Sequence, residues 1–179
     1  MVKALLINGS NTVQSRLTGV QQEVESKLQQ RGIGTEVLYV HQLPAQDLIL
    51  ANFASTAIVE AVEKVEKSDI IVLLTPIYKA SFTGILKTFL DLLPQKAFVN
   101  KLIVPVAIGG SIGHLLAIDY ALKPVATALG ATHITQTVYV VDQQVERLNG
   151  GHFAVEAQAV LRISQQIDYI SSISKETIR

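Results

Sequence analysis

Short apolar runs alternate along the chain with longer segments in which apolar residues recur every three or four positions. A short apolar run bounded by polar or turn-forming residues is typical of a strand that is buried on both faces of a parallel sheet. Recurrence every three or four residues indicates an amphipathic helix. This pattern predicts strands at residues 2–8, 35–40, 69–74, 102–108 and 132–140.

The segments between and after these strands are predicted to be helical. The predicted helices are about 13–30, one that begins near Ser55 or Thr56, and about 84–92, 113–129 and 153–172. Residues 41–54 are predicted to be irregular and 142–151 to form a polar loop. Alternation of strands and helices favours an α/β fold with a doubly wound parallel sheet. We predict a single domain over residues 1–179, with a flavodoxin-like five-stranded sheet of order 2-1-3-4-5.

In this order the loops after the first, third and fourth strands lie side by side at the carboxyl edge, where open α/β sheets bind ligands. The first loop reads GSNTVQSR, from Gly9 to Arg16, and opens a helix. Helix N-termini attract anions, and Arg16 adds a cation that suits phosphate geometry. With the hydroxyls of Ser10, Thr12 and Ser15, the loop predicts a site for a phosphate monoester. A simple N-cap beside a solvated arginine is the alternative.

The loop after the third strand reads TPIYKASFTGILK, residues 75–87. Tyr78 offers a flat ring. Pro76, Ser81 and Gly84 suit a stiff loop whose backbone approaches a planar ligand closely. These features point to a flavin ring.

Glycines dominate the loop after the fourth strand, AIGGSIGHLL. Gly109 and Gly110, followed by Ser111, allow the backbone to pass close to a ligand. An ordinary glycine turn is the alternative. His114 is assigned to the start of the next helix rather than to catalysis, and no histidine has the spacing with carboxylates that a metal site needs, so no metal is predicted.

Composition limits the class of protein. The chain has 179 residues, zero formal net charge and no cysteine. A neutral chain lacks the basic surface that nucleic acid or an anionic membrane attracts, and no apolar stretch is long enough to span a membrane. Without a signal-peptide pattern, a cytoplasmic location is expected. The hydrophobic content of 49% with 17% charged residues predicts a large core or apolar surface buried between subunits.

Longer strings carry a family resemblance up to about Val141. They are INGS followed by SR at 15–16, LPAQDL and ANF within 43–53, TPIYKASFTGILKTFLDLLP at 75–94, and GGSIGHLLAIDYALKPVATALGA at 109–131. The chain resembles the NADPH-dependent FMN reductases, and among them the flavin reductases of two-component alkanesulfonate monooxygenase systems.

The resemblance implies FMN and NADPH as ligands, with hydride transfer from nicotinamide to flavin and no catalytic acid or base in the protein. It places the FMN phosphate at Ser10, Ser15 and Arg16. The residues that it places around the flavin ring are Pro76, Ile77, Tyr78, Ser81, Gly109, Gly110 and Ser111. Lys79 is either a nicotinamide or phosphate contact or a solvated charge.

The resemblance also implies a partner, a flavin-dependent monooxygenase that receives reduced flavin for sulfonate-sulfur assimilation. Relatives often carry Pro and a further Arg or Ser after the GS, where this chain has Asn11 and Thr12, which implies looser FMN binding. One alternative is a reductase of quinones, azo dyes or metal oxyanions that retains FMN. Another is a flavodoxin-like electron carrier, which would not oxidise NADPH.

The predicted helix 113–129 has an unusual pattern. Pro124 lies inside it and cannot donate to the carbonyl of Tyr120, so an irregularity is expected beside Tyr120. Apolar residues on two sides of this helix favour burial against a second subunit, and the resemblance implies a homotetramer. Burial within the chain's own domain is the alternative.

Overall fold

A computed structural model describes residues 2–177 as a parallel sheet with helices on both faces. The strands are β1 (Lys3–Asn8), β2 (Gly34–Tyr39), β3 (Ile70–Pro76), β4 (Leu102–Gly109), β5 (His133–Ile134), β6 (Val138–Val141), β7 (Val145–Arg147) and β8 (Phe153–Val155). The sheet has the order β2-β1-β3-β4, and β5 and β6 both pair with β4 in parallel. Because β5 and β6 together fill the fifth position, the predicted flavodoxin-like order is confirmed.

The helices fill the connections between these strands. The α-helices are α1 (Arg16–Gln30), α2 (Ala45–Ile49), α3 (Thr56–Glu66), α4 (Gly84–Leu90), α5 (Lys123–Ala128) and α6 (Ala157–Thr177). The 3-10 turns are Val40–Gln42, Ile112–His114, Asp142–Gln144 and Asn149–Gly151. Segment 41–54, predicted to be irregular, therefore contains α2, a helix too short to show a clear period in the sequence.

Each face of the sheet has its own core. Leu5 and Ile7 of β1 pack with α3, α4 and α5 on one face. Ala4 and Leu6, which alternate with them, pack with α1 and α6 on the other. Every residue of β3 and β4 is buried, and burial on both faces explains why these strands are continuous apolar runs in the sequence.

The fifth strand is divided by a bulge that the sequence did not predict. Ile103 pairs with Ile134, and Val106 pairs with Val138. From Ile103 to Val106 the chain advances by three residues, while the paired segment from Ile134 to Val138 advances by four. One extra residue interrupts the ladder, as in a β-bulge, and separates β5 from β6.

The interpretation of residues 142–151 as a polar loop, and of 153 as the start of the last helix, was wrong. β7 and β8 form an antiparallel hairpin there, with Val145 opposite Val155, and α6 begins at Ala157. Gly150 and Gly151 both have positive φ, 75° and 79°, in the connection between the strands. Strands of three residues are too short to show a period, and so the sequence pattern could not reveal them.

The predicted helix 113–129 is irregular beside Tyr120, as expected. A π-helical turn at Ile118–Leu122 precedes α5, and the Lys123 N–H donates to the Ile118 carbonyl, five residues back. Pro124 follows directly, and its missing N–H leaves the Tyr120 carbonyl without the usual α-helical donor. The wider spacing of the π turn accommodates this loss.

Residues 2–177 contain neither a membrane-spanning helix nor a metal cluster. No helix in this range is long and apolar enough to cross a membrane. No group of three or more His, Asp or Glu side chains in this range is arranged to hold a metal ion.

Candidate functional site

Three loops meet at the carboxyl edge of β1, β3 and β4. The Gly9 N–H donates to the Leu74 carbonyl at 2.8 Å, and the Ile77 N–H donates to the Ile108 carbonyl at 2.8 Å. These bonds extend the pairing of the strands into the loops. A cavity of about 130 Å³, called here the loop cavity, lies between them and is lined by Ser15, Arg16, Pro76, Ile77, Tyr78, Ile108, Gly109, Asp142 and Arg147.

The loop after β1 is shaped by its own polar groups. Ser10 is fully buried, and its hydroxyl donates to the Thr12 carbonyl at 3.0 Å. Its N–H donates to Asn8 Oδ1 at 2.9 Å, and its carbonyl lies 2.9 Å from His41 Nδ1. Ser10 therefore fixes the conformation of the loop, and its hydroxyl proton is already donated within the loop.

The same loop presents donors without protein partners. Within residues 2–177, no acceptor contacts the backbone N–H of Asn11, Thr12 or Val13. Ser15 Oγ caps α1 by accepting the Leu17 N–H at 3.2 Å, which leaves the hydroxyl proton of Ser15 free to donate. Unpaired N–H groups, a hydroxyl and a guanidinium at the start of a 15-residue helix are the donor set that a phosphate ester requires.

The loop after β3 makes a tight turn. Tyr78 and Ser81 exchange two backbone hydrogen bonds, at 3.0 and 3.1 Å, and Lys79 and Ala80 between them have φ of 51° and 61°. Two positive φ values are what a type I′ turn requires, and glycine or asparagine usually occupies such positions. Holding other residues there costs about 1–2 kcal/mol each. The stiff loop predicted from the sequence is thus a strained turn, a feature that is common at ligand sites.

We expect Ala80→Gly to raise the free energy of unfolding by about 0.5–1 kcal/mol, because glycine adopts positive φ without strain. Urea denaturation measures this difference. Ala57→Gly, within α3, is the matched control and is expected to lower the same free energy by about 0.5–1 kcal/mol. A loss of stability at both positions would contradict the strain assigned to the turn.

Two buried threonines join the tight turn to the loop after β1. The Thr83 N–H donates to Thr75 Oγ1 at 3.1 Å, and Thr83 Oγ1 donates to the Gly9 carbonyl at 2.7 Å. The same Oγ1 accepts the Leu86 N–H at 3.1 Å as the N-cap of α4. Thr83 was not among the predicted residues, although a threonine directly before a helical pattern is an N-cap signal.

The glycine loop after β4 is held by Tyr139 of β6. The Tyr139 hydroxyl donates to the Ser111 carbonyl at 2.8 Å, and a Cβ added to Gly109 would overlap with that hydroxyl oxygen. Burial raises the pKa of Tyr139, and the Asp142 carboxylate adds to the rise, so the hydroxyl keeps its proton above the usual range of a tyrosine. Gly109 is therefore required by the tyrosine that fixes its loop.

The structure brings part of the predicted site together. The predicted residues that line the loop cavity are Ser15, Arg16, Pro76, Ile77, Tyr78 and Gly109. Ser10 is buried within its loop, and Thr12 lines a neighbouring cavity. The predicted residues in the turn and the glycine loop that do not line the loop cavity are Lys79, Ser81, Gly110 and Ser111.

Two charged residues of the loop cavity were missed, Asp142 and Arg147. Both lie in segment 142–151, which was predicted to be a polar loop. Asp142 directly follows β6, which ends beside β4 at the ligand-binding edge. The rule that located the other three loops, a polar residue after a strand end, applied here too.

Known proteins are similar to this chain in sequence. The family model for the NADPH-dependent FMN reductases matches residues 2–146. An FMN reductase (NADPH) of Pseudomonas putida KT2440 is 42% identical, covering 86% of this chain and 78% of the relative. One of Escherichia coli K12 is 38% identical, covering 80% of this chain and 75% of the relative.

A solved structure is similar to this chain in fold and in sequence. The apo form of the NADH:FMN oxidoreductase EmoB superposes with a TM-score of 0.84 at 31% identity, covering 96% of this chain and 89% of that one. The chain therefore belongs to the NADPH-dependent FMN reductase family, which confirms the expected NAD(P)H:FMN oxidoreductase activity with FMN and NADPH.

Proposed function

We propose that this chain binds FMN across the three loops, reduces it with NADPH, and releases reduced FMN to a partner flavin-dependent monooxygenase. The observation that carries the proposal is the loop cavity itself. Ser15 and Arg16 from the start of α1 line it together with Pro76, Ile77 and Tyr78 of the loop after β3. Donors that suit a phosphate ester and residues that suit a planar ring therefore share one cavity.

Different residues of the chain suit the phosphate and the ring of FMN. The free N–H groups of the first loop, the Ser15 hydroxyl and Arg16 suit the phosphate. Tyr78 and the Ile77 backbone suit the ring, and the bond between Tyr139 and Ser111 holds the glycine loop beside it. Bound FMN supplies the hydride-accepting chemistry, while the protein supplies orientation and contacts.

The histidines near the site have structural positions. His41 contacts the Ser10 carbonyl, and His114 is exposed in a 3-10 turn. Neither lines the loop cavity. Hydride transfer from nicotinamide to flavin needs no protein acid or base at this step, so binding and orientation are sufficient.

The open form of the site supports release of the flavin. The loop cavity holds about 130 Å³, below the roughly 300–1,000 Å³ of pockets that enclose small ligands. Tyr78 exposes 52% of its surface. A site that encloses only part of its ligand favours exchange of flavin over retention.

We expect NADPH oxidation by the purified protein to depend on added FMN. We expect the open site to lose flavin during purification, so turnover should rise with FMN concentration until the site is saturated. Absorbance at 340 nm, with and without FMN, measures this. Yellow protein with full turnover on a quinone and no added flavin would instead support the FMN-retaining alternative. Absence of NADPH oxidation under all conditions would support the electron carrier.

The chain is also proposed to act as a homo-oligomer. Four large apolar side chains are exposed in the segment after the glycine loop, Ile112, Leu115, Leu116 and Tyr120, called here the apolar patch. A cluster of this kind is typical of an interaction surface. Because the patch directly follows Gly109–Ser111 in the chain, an interface at the patch would help to hold the glycine loop in position beside the flavin.

A further inference from the structure

The β7–β8 hairpin is fixed beside the start of α1. Phe153 of β8 packs against Gly19 of α1, where an added Cβ would lie 2.6 Å from the Phe153 Cβ. Val145 of β7 is buried in the core shared by α1 and α6. This packing gives the hairpin a defined position next to the loop after β1.

Two arginines link the loop and the hairpin in opposite directions. Arg16 donates from Nε to the Val145 carbonyl at 2.8 Å. Arg147 donates from Nε to the Gln14 carbonyl at 3.2 Å. Each bond orients one guanidinium and uses only one of its five N–H groups. In the part of the chain that the structure describes, the terminal nitrogens of both arginines have no hydrogen-bond or ion-pair partner.

The charges of the loop cavity suggest what these nitrogens bind. Its charged side chains are Arg16, Arg147 and Asp142, so two positive charges and one negative charge leave a formal charge of +1. A phosphate monoester carries about −1.5 to −2 at pH 7. Without Arg147 the remaining charges would cancel. With the second arginine the cavity keeps a net positive charge, which adds to its attraction for an anion.

The position of Arg147 matches this role. It also lines a second cavity, of about 650 Å³, together with Thr12, Val13 and Gln14 of the first loop. Its side chain therefore borders both the loop whose N–H groups are free and the loop cavity. The family model ends at residue 146, so Arg147 lies just outside the matched segment.

We propose that Arg147 is a second phosphate-binding cation for FMN, held by the hairpin at the cavity that Arg16 also lines. This inference rests on the proposed function, because it assumes that FMN binds at the loop cavity. Two oriented guanidinium groups would hold the phosphate from two sides, with the free N–H groups of the loop completing its contacts.

Direct flavin binding tests the assignment. Fluorescence titrations of FMN and riboflavin, which lacks the phosphate, are compared for wild type, Arg147→Gln, Arg147→Lys and Arg16→Gln. We expect Arg147→Gln to weaken FMN about tenfold and leave riboflavin unchanged, with Arg147→Lys between wild type and Arg147→Gln. The FMN affinity of Arg147→Gln should also depend less on salt than that of wild type.

Lys96→Gln is the charge-matched control. Lys96 is exposed and precedes β4, at the end of the sheet opposite the three loops, and its loss should leave both flavins unaffected. Equal losses of FMN and riboflavin in Arg147→Gln would show that the residue only supports the hairpin. Unchanged FMN affinity in Arg147→Gln would also overturn the assignment. This holds even if the variant binds NADPH more weakly.

The same measurements distinguish failure of the proposed function from failure of the role assigned to Arg147. If wild type binds no FMN and oxidises no NADPH in its presence, the proposed function is wrong, whatever the variants do. If wild type binds FMN and Arg16→Gln weakens FMN alone, while Arg147→Gln has no effect, the phosphate site stands and only the second cation is wrong.

Discussion

Gly109→Ala is expected to weaken FMN binding and lower FMN-dependent NADPH oxidation by about tenfold or more, because overpacking by one methyl group typically costs about 1–3 kcal/mol. The new methyl group would overlap with the Tyr139 hydroxyl oxygen. That hydroxyl holds the Ser111 carbonyl at 2.8 Å, so relief of the overlap must move either the tyrosine or the glycine loop. Titration with FMN and the NADPH assay measure the two effects.

A second substitution tests whether overlap with the Tyr139 hydroxyl causes the loss of FMN binding in Gly109→Ala. Tyr139→Phe removes the oxygen and leaves the ring, whose Cζ would lie 3.1 Å from the added Cβ, a distance that a small shift relieves. The double variant Gly109→Ala with Tyr139→Phe should therefore bind FMN better than Gly109→Ala alone. A double-mutant cycle gives the coupling between the two positions.

The matched control is Gly84→Ala. Gly84 begins α4, and a Cβ there would meet no atom within 4 Å. Gly84 was predicted to belong to the stiff ligand loop, but it does not line the loop cavity, so this variant should keep wild-type flavin affinity. Its stability should rise slightly because alanine favours helix. If Gly109→Ala behaves like Gly84→Ala, or if Tyr139→Phe gives no recovery, the tyrosine does not fix the glycine loop.

The sequence pattern predicted those parts of the fold that are regular and buried on both faces. β3 and β4 are wholly buried, so their apolar runs located them and the loops that follow them. The hairpin of β7 and β8 was missed because its short strands are only partly buried, with exposed Glu146 and Arg147. Its position depends on contacts with α1, over 100 residues earlier, which no local pattern reports.

The candidate site shows the same limit at the level of single residues. Arg16 and Ser15 were predicted because a loop before a helix is a local signal, and both line the loop cavity. That Ser10 binds the phosphate stays a prediction. Its hydroxyl donates to the Thr12 carbonyl, and the residue types alone do not reveal hydrogen bonding of this kind within a loop. Arg147 and Asp142 reach the cavity only through the path of the chain after β6.

Tyr120→Ala is expected to shift the protein from an oligomer to smaller species, with association weakened about thirtyfold or more. An aromatic residue at the centre of an interface often contributes about 2 kcal/mol or more to binding. Tyr120 exposes 80% of its surface in the single chain and lies in the π-helical turn. Its removal therefore costs the folded monomer little, and the loss should appear in assembly. Sedimentation equilibrium of wild type and variant measures this.

Tyr169→Ala is the matched control for the apolar patch. Tyr169 exposes 54% of its surface on α6, away from the patch in the chain, so its loss should leave assembly unchanged. Tyr120→Phe keeps the apolar ring and should retain most of the association.

Assembly and catalysis are expected to fail together in Tyr120→Ala. The apolar patch begins directly after Ser111, so an interface that orders the patch also orders the glycine loop beside the flavin. FMN-dependent NADPH oxidation should fall at protein concentrations where the variant has dissociated, and should recover as concentration is raised. A wild-type protein that is monomeric at all concentrations would end the interface proposal. Unchanged assembly and turnover in the variant would show that Tyr120 is ordinary surface, and that the π turn serves only to accommodate Pro124.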